Sequence, residues 1–347
     1  MKVLIVGLGA AGQRHARNLR SILGERVDLL ACRSRMLPDF INEKMQVESG
    51  ERVEARLGLR VFTNLQMALA EQPDAVVVSN PTSMHVEVAQ AAADAGCHIF
   101  IEKPLSDKFD GVERLLATVE DKGLVCMVAY QMRFHPCIRM LRELVHDDRI
   151  GRVIGVRAVY GEYLPGWHPY EDYRRSYAAR RELGGGVVLT QIHDLDYLTW
   201  IFGWPSRIFS VGGHLSSLEV DVEDTASTLM ECGEGNGKFP VHLHQDFVQS
   251  PPVRSCEVMG EKGRILVDLR ESELRMYDFS GCLISEIACS ELERNQLFLD
   301  EIVHFVDCIT QGATPCVSLR DGANSLRVAL ASLESLHSGQ AVSFAAI

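Results

Sequence analysis

Lys2-Val3-Leu4-Ile5-Val6-Gly7-Leu8-Gly9-Ala10-Ala11-Gly12 is a short apolar run, rich in β-branched residues, that meets a G-x-G-x-x-G motif; Gln13 to Leu23 after it is compatible with a helix. Strand, tight turn and helix in that order are the context in which such glycines bind a dinucleotide. Gly7 permits the turn, Gly9 lets a pyrophosphate approach the backbone, and Gly12 lets helix and strand pack closely. The helix N-terminus at Ala10 and Ala11 then faces the phosphates.

Working outward, Val27 to Cys32 reads as a second strand and ends where an NAD site places an acid on the ribose hydroxyls. The chain has Cys32-Arg33-Ser34-Arg35 there. Two guanidiniums and a hydroxyl suit a 2′-phosphate, so NADP is expected in preference to NAD. The alternative is that Arg33 and Arg35 are solvated loop charges. Leu37 to Leu57 is polar and helix-compatible, Leu59 to Phe62 is a short strand, and Asn64 caps a helix running to Glu71.

Three further strands end in polar loops. Ala75 to Val78 runs into Ser79-Asn80-Pro81-Thr82-Ser83-Met84-His85, and the next strand, Cys97 to Ile101, delivers Glu102-Lys103-Pro104. Leu124 to Ala129 ends at Tyr130-Gln131-Met132-Arg133-Phe134-His135-Pro136. The alternation of apolar strands with helices predicts a doubly wound parallel α/β sheet, a Rossmann domain over residues 1–130, whose strand ends open on one crevice. Lys103 stands out there, because burying an ammonium costs several kcal/mol unless it is paired or gives up its proton. Such a lysine suits proton transfer near neutral pH.

From Gly151 the rhythm changes. Val153 to Tyr160, Ile208 to Val211, Thr225 to Met230, Val241 to Asp246, Arg254 to Met259 and Ile265 to Asp268 read as strands, several with alternating polarity. This predicts a large, open, mostly antiparallel sheet in an α+β domain over residues 131–347. Glu293 to Ile309 and Ser318 to Ser338 read as helices, and the last is expected to return towards the first domain. Gly184-Gly185-Gly186 precedes a single helix from Val187 to Phe202, on which Thr190, His193 and Asp194 share a face. His193 is a candidate partner for Lys103, and a satisfied core histidine is the alternative. The loop from Tyr163 to Tyr177 is dense in aromatic and polar groups, which makes Trp167, Tyr173 and Arg174 candidates to meet a polyol or, through the arginine, an anion. His242 and His244 alternate on a strand without a third ligand, so no metal is expected.

The 347 residues suggest two domains, and a formal net charge of -12 argues against nonspecific attachment to nucleic acid. No run of 18 or more apolar residues marks a membrane span, and no signal peptide is read before the glycines. Ten cysteines without a CxxC pair read as reduced thiols, so a cytoplasmic location is expected.

The glycine fingerprint followed by Arg14-His15, the Asn80-Pro81-Thr82 loop with His85, Glu102-Lys103-Pro104, Gln131 to Pro136, and the triple glycine with His193 downstream resemble the Gfo/Idh/MocA oxidoreductases. The resemblance covers nearly the whole chain. It implies hydride transfer between NAD(P) and a secondary alcohol of a sugar, inositol, sugar acid or nucleotide-sugar. Lys103 and His193 would move the proton, and Gly7, Gly9, Ala10, Ala11, Gly12, Arg33, Ser34, Arg35, Asn80, Pro81, His85, Glu102, Lys103 and Gln131 would meet the cofactor. Arg133, Trp167, Tyr173, Arg174, Thr190 and Asp194 would meet the substrate. It also implies a homodimer or homotetramer built through the C-terminal sheet. The family commonly has an Asp four residues before the His; here Leu189 holds that position and the neighbouring Thr190 is no carboxylate. A non-catalytic dinucleotide sensor, or a reductase of a non-sugar carbonyl or imine, are the alternatives.

Overall fold

In a computed structural model, which describes residues 1–33, 40–42, 46–48, 50, 52–168 and 170–345, the run Lys2–Val6 forms β1 inside a six-stranded parallel sheet. The elements that follow are α1 (Ala10–Leu23), β2 (Asp28–Cys32), β3 (Phe40–Ile41), β4 (Val47–Glu48), α2 (Val53–Leu57), β5 (Arg60–Phe62) and α3 (Leu65–Leu69). Then come β6 (Ala75–Val78), α4 (His85–Asp94), β7 (His98–Ile101), α5 (Val112–Asp121) and β8 (Cys126–Val128). The sheet order is β5-β2-β1-β6-β7-β8. Ala75 to Val78 are all buried, as expected for strands covered by helices on both faces. The chain steps to opposite sides of β1 to form β2 and β6, and this switch point is where a parallel sheet opens a ligand crevice.

The helix expected across Leu37 to Leu57 is replaced by the β3–β4 hairpin and the short α2; residues 37–39, 43–45, 49 and 51 lie outside the described residues. Extended backbone is favoured because α1 satisfies it. Gln13 accepts from the Ile41 N–H at 2.8 Å and Arg17 donates to the Ile41 carbonyl at 2.7 Å. Asn64 caps α3 as its sequence suggests, accepting from the Met67 N–H at 3.0 Å.

The second half holds α6 (Pro136–His146), β9 (Val153–Gly161), α7 (Val187–Thr190), α8 (His193–Phe202), β10 (Arg207–Gly213), β11 (Thr225–Cys232) and β12 (Phe239–Asp246). It continues with β13 (Val253–Gly260), β14 (Gly263–Asp268), β15 (Glu273–Asp278), β16 (Leu283–Ala288), α9 (Arg294–Gln311), α10 (Leu319–Ser338) and β17 (Val342–Ser343). The nine strands run β16-β15-β14-β13-β9-β12-β11-β10-β17, antiparallel except where β9 meets β12. Strands β15 and β16 carry Glu273, Arg275, Asp278 and Glu286, which masks their alternation in the sequence.

Val187 to Phe202 is two helices rather than one. Gln245 donates to the Gln191 carbonyl at 3.1 Å, taking an acceptor that a continuous helix would use, and Gln191 donates to the Asp246 carbonyl at 3.0 Å. This exchange fixes the break between Thr190 and His193 against β12. At the C-terminal end, Ser318 and Asp321 form a capping box on α10. Gly322 then lies so close to Val128 that a Cβ would come within 2.4 Å of its side chain, which seats α10 against the end of β8.

Candidate active site

The fingerprint glycines have separate physical reasons. Gly7 holds φ +95, where a Cβ would sit 2.6 Å from the Ser79 carbonyl, and a Cβ on Gly12 would sit 2.0 Å from the Gly7 carbonyl. Nothing lies within 4 Å of a Cβ on Gly9, which is the N-cap of α1 with no side chain bonded to its free N–H groups and no acid in the first turn. Open space in front of uncapped N–H donors at Ala10, Ala11 and Gly12 fits a dinucleotide pyrophosphate.

Strand β7 ends one residue before Glu102, and Lys103-Pro104 is a cis peptide. The Glu102 carboxylate accepts from His15 Nε2 at 2.7 Å and lies 3.7 Å from the Arg14 guanidinium. Burial alone would raise its pKa, but the His15 hydrogen bond and the charges of His15, Arg14 and Lys103 outweigh it and hold the group down at about 2. Glu102 is therefore an anion throughout the neutral range. Lys103 Nζ donates to the Thr190 carbonyl at 2.7 Å. Burial depresses its pKa to about 8, with Glu102 opposing and the charges of Arg254, Arg14 and Arg294 assisting. A lysine so tuned gains and loses a proton close to physiological pH.

His193 opens α8, is 5% exposed, and has a buried Nδ1 without a hydrogen-bond partner. Its pKa is pushed well below the ordinary imidazole value, first by burial and then by the charges of Lys103, Arg254 and Arg14. The ring is neutral, so it can orient a hydroxyl while Lys103 titrates. The Thr190 hydroxyl is also buried without a partner. Asp194, next to His193 on α8, forms a two-pronged pair with Arg254, at 2.7 Å and 3.4 Å, and the guanidinium lies 4.3 Å above the Tyr160 ring. Its carboxylate is thus spent on Arg254.

Several expected residues have structural duties. His85 bridges the carbonyls of Asn80 and Pro104, at 2.8 Å each, stapling the loop after β6 to the turn after β7. Asn80 keeps a buried, unpartnered Oδ1 in that loop, and Gln131 begins a short helical turn after β8. Arg133, a substrate candidate in the sequence, is 2% exposed and grips Asp196 with two nitrogens, at 2.8 Å and 2.7 Å, leaving it no open face for a substrate. Trp167 packs edge-on against Phe247, with its indole N–H buried and unpartnered. Tyr173 instead accepts from the Glu219 N–H, and Arg174 is committed to Asp172 and Glu219 at the surface. Arg33 is buried against the Glu54 carboxylate of α2, an acid the sequence gives no reason to place there. Ser34 and Arg35 lie outside the described residues.

Arg254, Tyr160 and Tyr177 escaped the sequence reading. Arg254 and Tyr160 are register partners on β13 and β9. Arg254 shares the parity of the buried Cys256 and Val258, and a lone charge on the apolar face of an alternating strand was the available signal. Tyr177 sits in a turn held by the triple glycine, where Gly186 N–H donates to the Ala178 carbonyl at 3.0 Å, and its phenol lies in the field of Glu102 and Tyr160. Among the described residues no group of three or more His, Cys, Asp or Glu could hold a metal, and no helix is long and apolar enough to cross a membrane.

Residues 1–130 match the Gfo/Idh/MocA oxidoreductase family, NAD-binding Rossmann fold, and residues 138–266 match the Gfo/Idh/MocA C-terminal domain. The chain is 26% identical over 352 residues to scyllo-inositol 2-dehydrogenase (NAD(+)) of Bacillus subtilis, covering 99% of this chain and 96% of that enzyme. It is 28% identical over 358 residues to myo-inositol 2-dehydrogenase of Thermotoga maritima, covering 99% and 98%. The WlbA dehydrogenase of Bordetella pertussis, solved with NADH and UDP-GlcNAcA, has the same fold with a TM-score of 0.80 at 21% identity, covering 99% of both chains.

Proposed function

Because the chain belongs to the Gfo/Idh/MocA oxidoreductase family, we propose that it is an NAD(P)-dependent dehydrogenase of a secondary alcohol carried by a sugar, an inositol, a sugar acid or a nucleotide-sugar. The observation that carries this reading is Lys103, a half-buried amine tuned to about 8 just past the end of β7 and seated on the Thr190 carbonyl, in the field it shares with the neutral His193. Its inositol-oxidising relatives support the same substrate class.

A nicotinamide held in this crevice would supply the hydride acceptor. Ala10, Ala11 and Gly12 hold the pyrophosphate through the α1 N-terminus, while Asn80, Pro81, Glu102 and Gln131 line the end of the crevice where the reaction occurs. In the oxidising direction neutral Lys103 takes the hydroxyl proton as the carbinol C–H bond breaks and its electron pair leaves as hydride. In reduction the ammonium returns the proton to the carbonyl oxygen. His193 and the Thr190 hydroxyl orient the reacting oxygen, and Trp167, Tyr160 and Tyr177 wall the substrate. The preferred carrier in this reading is NADP, supported by the absence of an acid in Cys32-Arg33-Ser34-Arg35. The Arg33–Glu54 pair favours NAD instead, since a 2′-phosphate must compete with Glu54 for the guanidinium. We also assign the outer face of the nine-stranded sheet, with Phe209, Val211 and Leu229 exposed, to contact with a second copy of the chain in a homodimer or homotetramer.

Calorimetric titration with each nucleotide, then a panel of polyols and sugar nucleotides followed by absorbance of the reduced nicotinamide, tests the reading. Lys103→Met should cut turnover by about 10²–10⁴-fold with cofactor affinity kept, the usual worth of a positioned acid or base. Undiminished turnover rejects the role of Lys103, and tighter binding of NAD rejects the NADP preference.

A further inference from the structure

The carbonyl that seats Lys103 lies at the end of a short turn whose start is gripped by a buried acid. The Val187 N–H donates to the Glu223 carbonyl at 3.0 Å, and the Val188 N–H donates to the Glu223 carboxylate at 3.2 Å. Gly186, at φ +105, lies so close that a Cβ would come within 2.2 Å of that carboxylate, which explains why the third glycine of the triplet is a glycine. The turn closes when Thr190 N–H donates to the Gly186 carbonyl at 2.9 Å, and the Thr190 carbonyl then accepts from Lys103 at 2.7 Å. Glu223 is 9% exposed and otherwise has no role in the site.

We propose that Glu223 is a positioning residue for the proton transfer: its buried carboxylate clamps the turn Gly186–Thr190 whose last carbonyl holds the Lys103 amine. The inference rests on the reading of Lys103 as the proton carrier. Burial pushes the Glu223 carboxyl up to about 7, with its own N–H, the Val188 N–H and the Arg181 charge opposing and Asp224 adding to the rise. Arg181 and Asp224 are the charged groups whose fields act most strongly on it. The clamp is therefore strongest where the carboxylate is ionised and weakens as pH falls.

The competent enzyme has Glu223 ionised and Lys103 neutral, and both conditions are lost towards acid. Protonated Glu223 still offers an oxygen to the Val188 N–H, so the acid limb of kcat/KM for alcohol oxidation should fall about tenfold per pH unit for Lys103 and about threefold more in total as Glu223 takes its proton. Glu223→Gln keeps an oxygen for the Val188 N–H but cannot ionise, so it should retain plateau kcat within about threefold and show the single-proton limb. Glu223→Ala should lose about tenfold in kcat with cofactor affinity kept.

A second measurement needs no turnover. Trace labelling of amines by acetic anhydride across pH, read on the Lys103 peptide by mass spectrometry, reports when that amine becomes nucleophilic. Glu223→Ala should move the midpoint upward, as a released Lys103 regains solvent, while Glu223→Gln should not. Equal limbs in wild type and Glu223→Gln, or one labelling midpoint for all three proteins, overturns the clamp. A shifted midpoint in a protein that oxidises nothing in the panel supports the clamp and rejects the dehydrogenase reading.

Discussion

Helix α8 carries two acids two residues apart, Asp194 and Asp196, and each meets an arginine from a distant part of the chain. Two residues apart on an α-helix is about 200°, so the pairs point to nearly opposite faces. Arg133 with Asp196 faces inward, where Ser325 also donates to the carboxylate at 2.8 Å and the Cys316 carbonyl accepts from the guanidinium at 3.1 Å. Arg254 with Asp194 faces the crevice, over Tyr160 and in the field of Lys103 and His193. The same chemical pair is a fastener on one face and a source of electrostatic bias on the other. What decides is the neighbours each face meets.

The largest effect should come from breaking the fastener. Asp196 is fully buried, so Arg133→Ala leaves a charge with no partner of opposite sign; removing one member of such a pair costs about 3–5 kcal/mol. Urea unfolding should show that loss, while turnover per folded molecule at low temperature stays within about twofold, since Arg133 touches no reacting atom in this arrangement. A variant that keeps its stability but loses turnover would erase the distinction between the two pairs.

The comparison also marks what the sequence could and could not reveal. The crevice was legible because it is built locally: apolar runs name β1, β6 and β7, and the residue after each run must lie at the strand end. Glu102, Lys103 and Asn80 follow from that alone. Arg133 follows the same rule and still points elsewhere, because its direction is set by Asp196, 63 residues away. Thr190, His193 and Asp194 share a face only on one continuous helix, whereas the Gln191–Gln245 exchange breaks the chain between Thr190 and His193. The β3–β4 hairpin depends likewise on Gln13 and Arg17 of α1. Each miss is a polar contact between remote segments, which periodicity does not encode.

A smaller and different effect is expected at the other pair. The Arg254 charge helps depress Lys103, behind burial, so Arg254→Ala should raise the lysine pKa above about 8. Neutral Lys103 would then require higher pH, and the acid limb of alcohol oxidation should move upward by about one unit, equivalent to about 1.4 kcal/mol. Some stability is lost as well, though less than for Arg133→Ala, because the Arg254 side chain is 13% exposed and water can reach the vacated corner. An unmoved limb in a folded variant would reduce Arg254 to a second fastener.

The smallest effect separates charge from geometry at that corner. Arg254→Lys keeps a cation beside Lys103 but replaces the planar fork, which meets both Asp194 oxygens and lies over the Tyr160 ring, by a single ammonium. If the crevice-facing pair acts on Lys103 through its charge, the acid limb should stay where the wild type has it. Stability should fall by about 1 kcal/mol for the lost second prong and the poorer contact with the ring. A limb that moves as far as in Arg254→Ala would instead mean that the fork acts by holding Asp194 and its helix in place. In that case the difference between the two faces of α8 would be one of position rather than of field, and Arg254 would belong with Glu223 as a brace for Lys103.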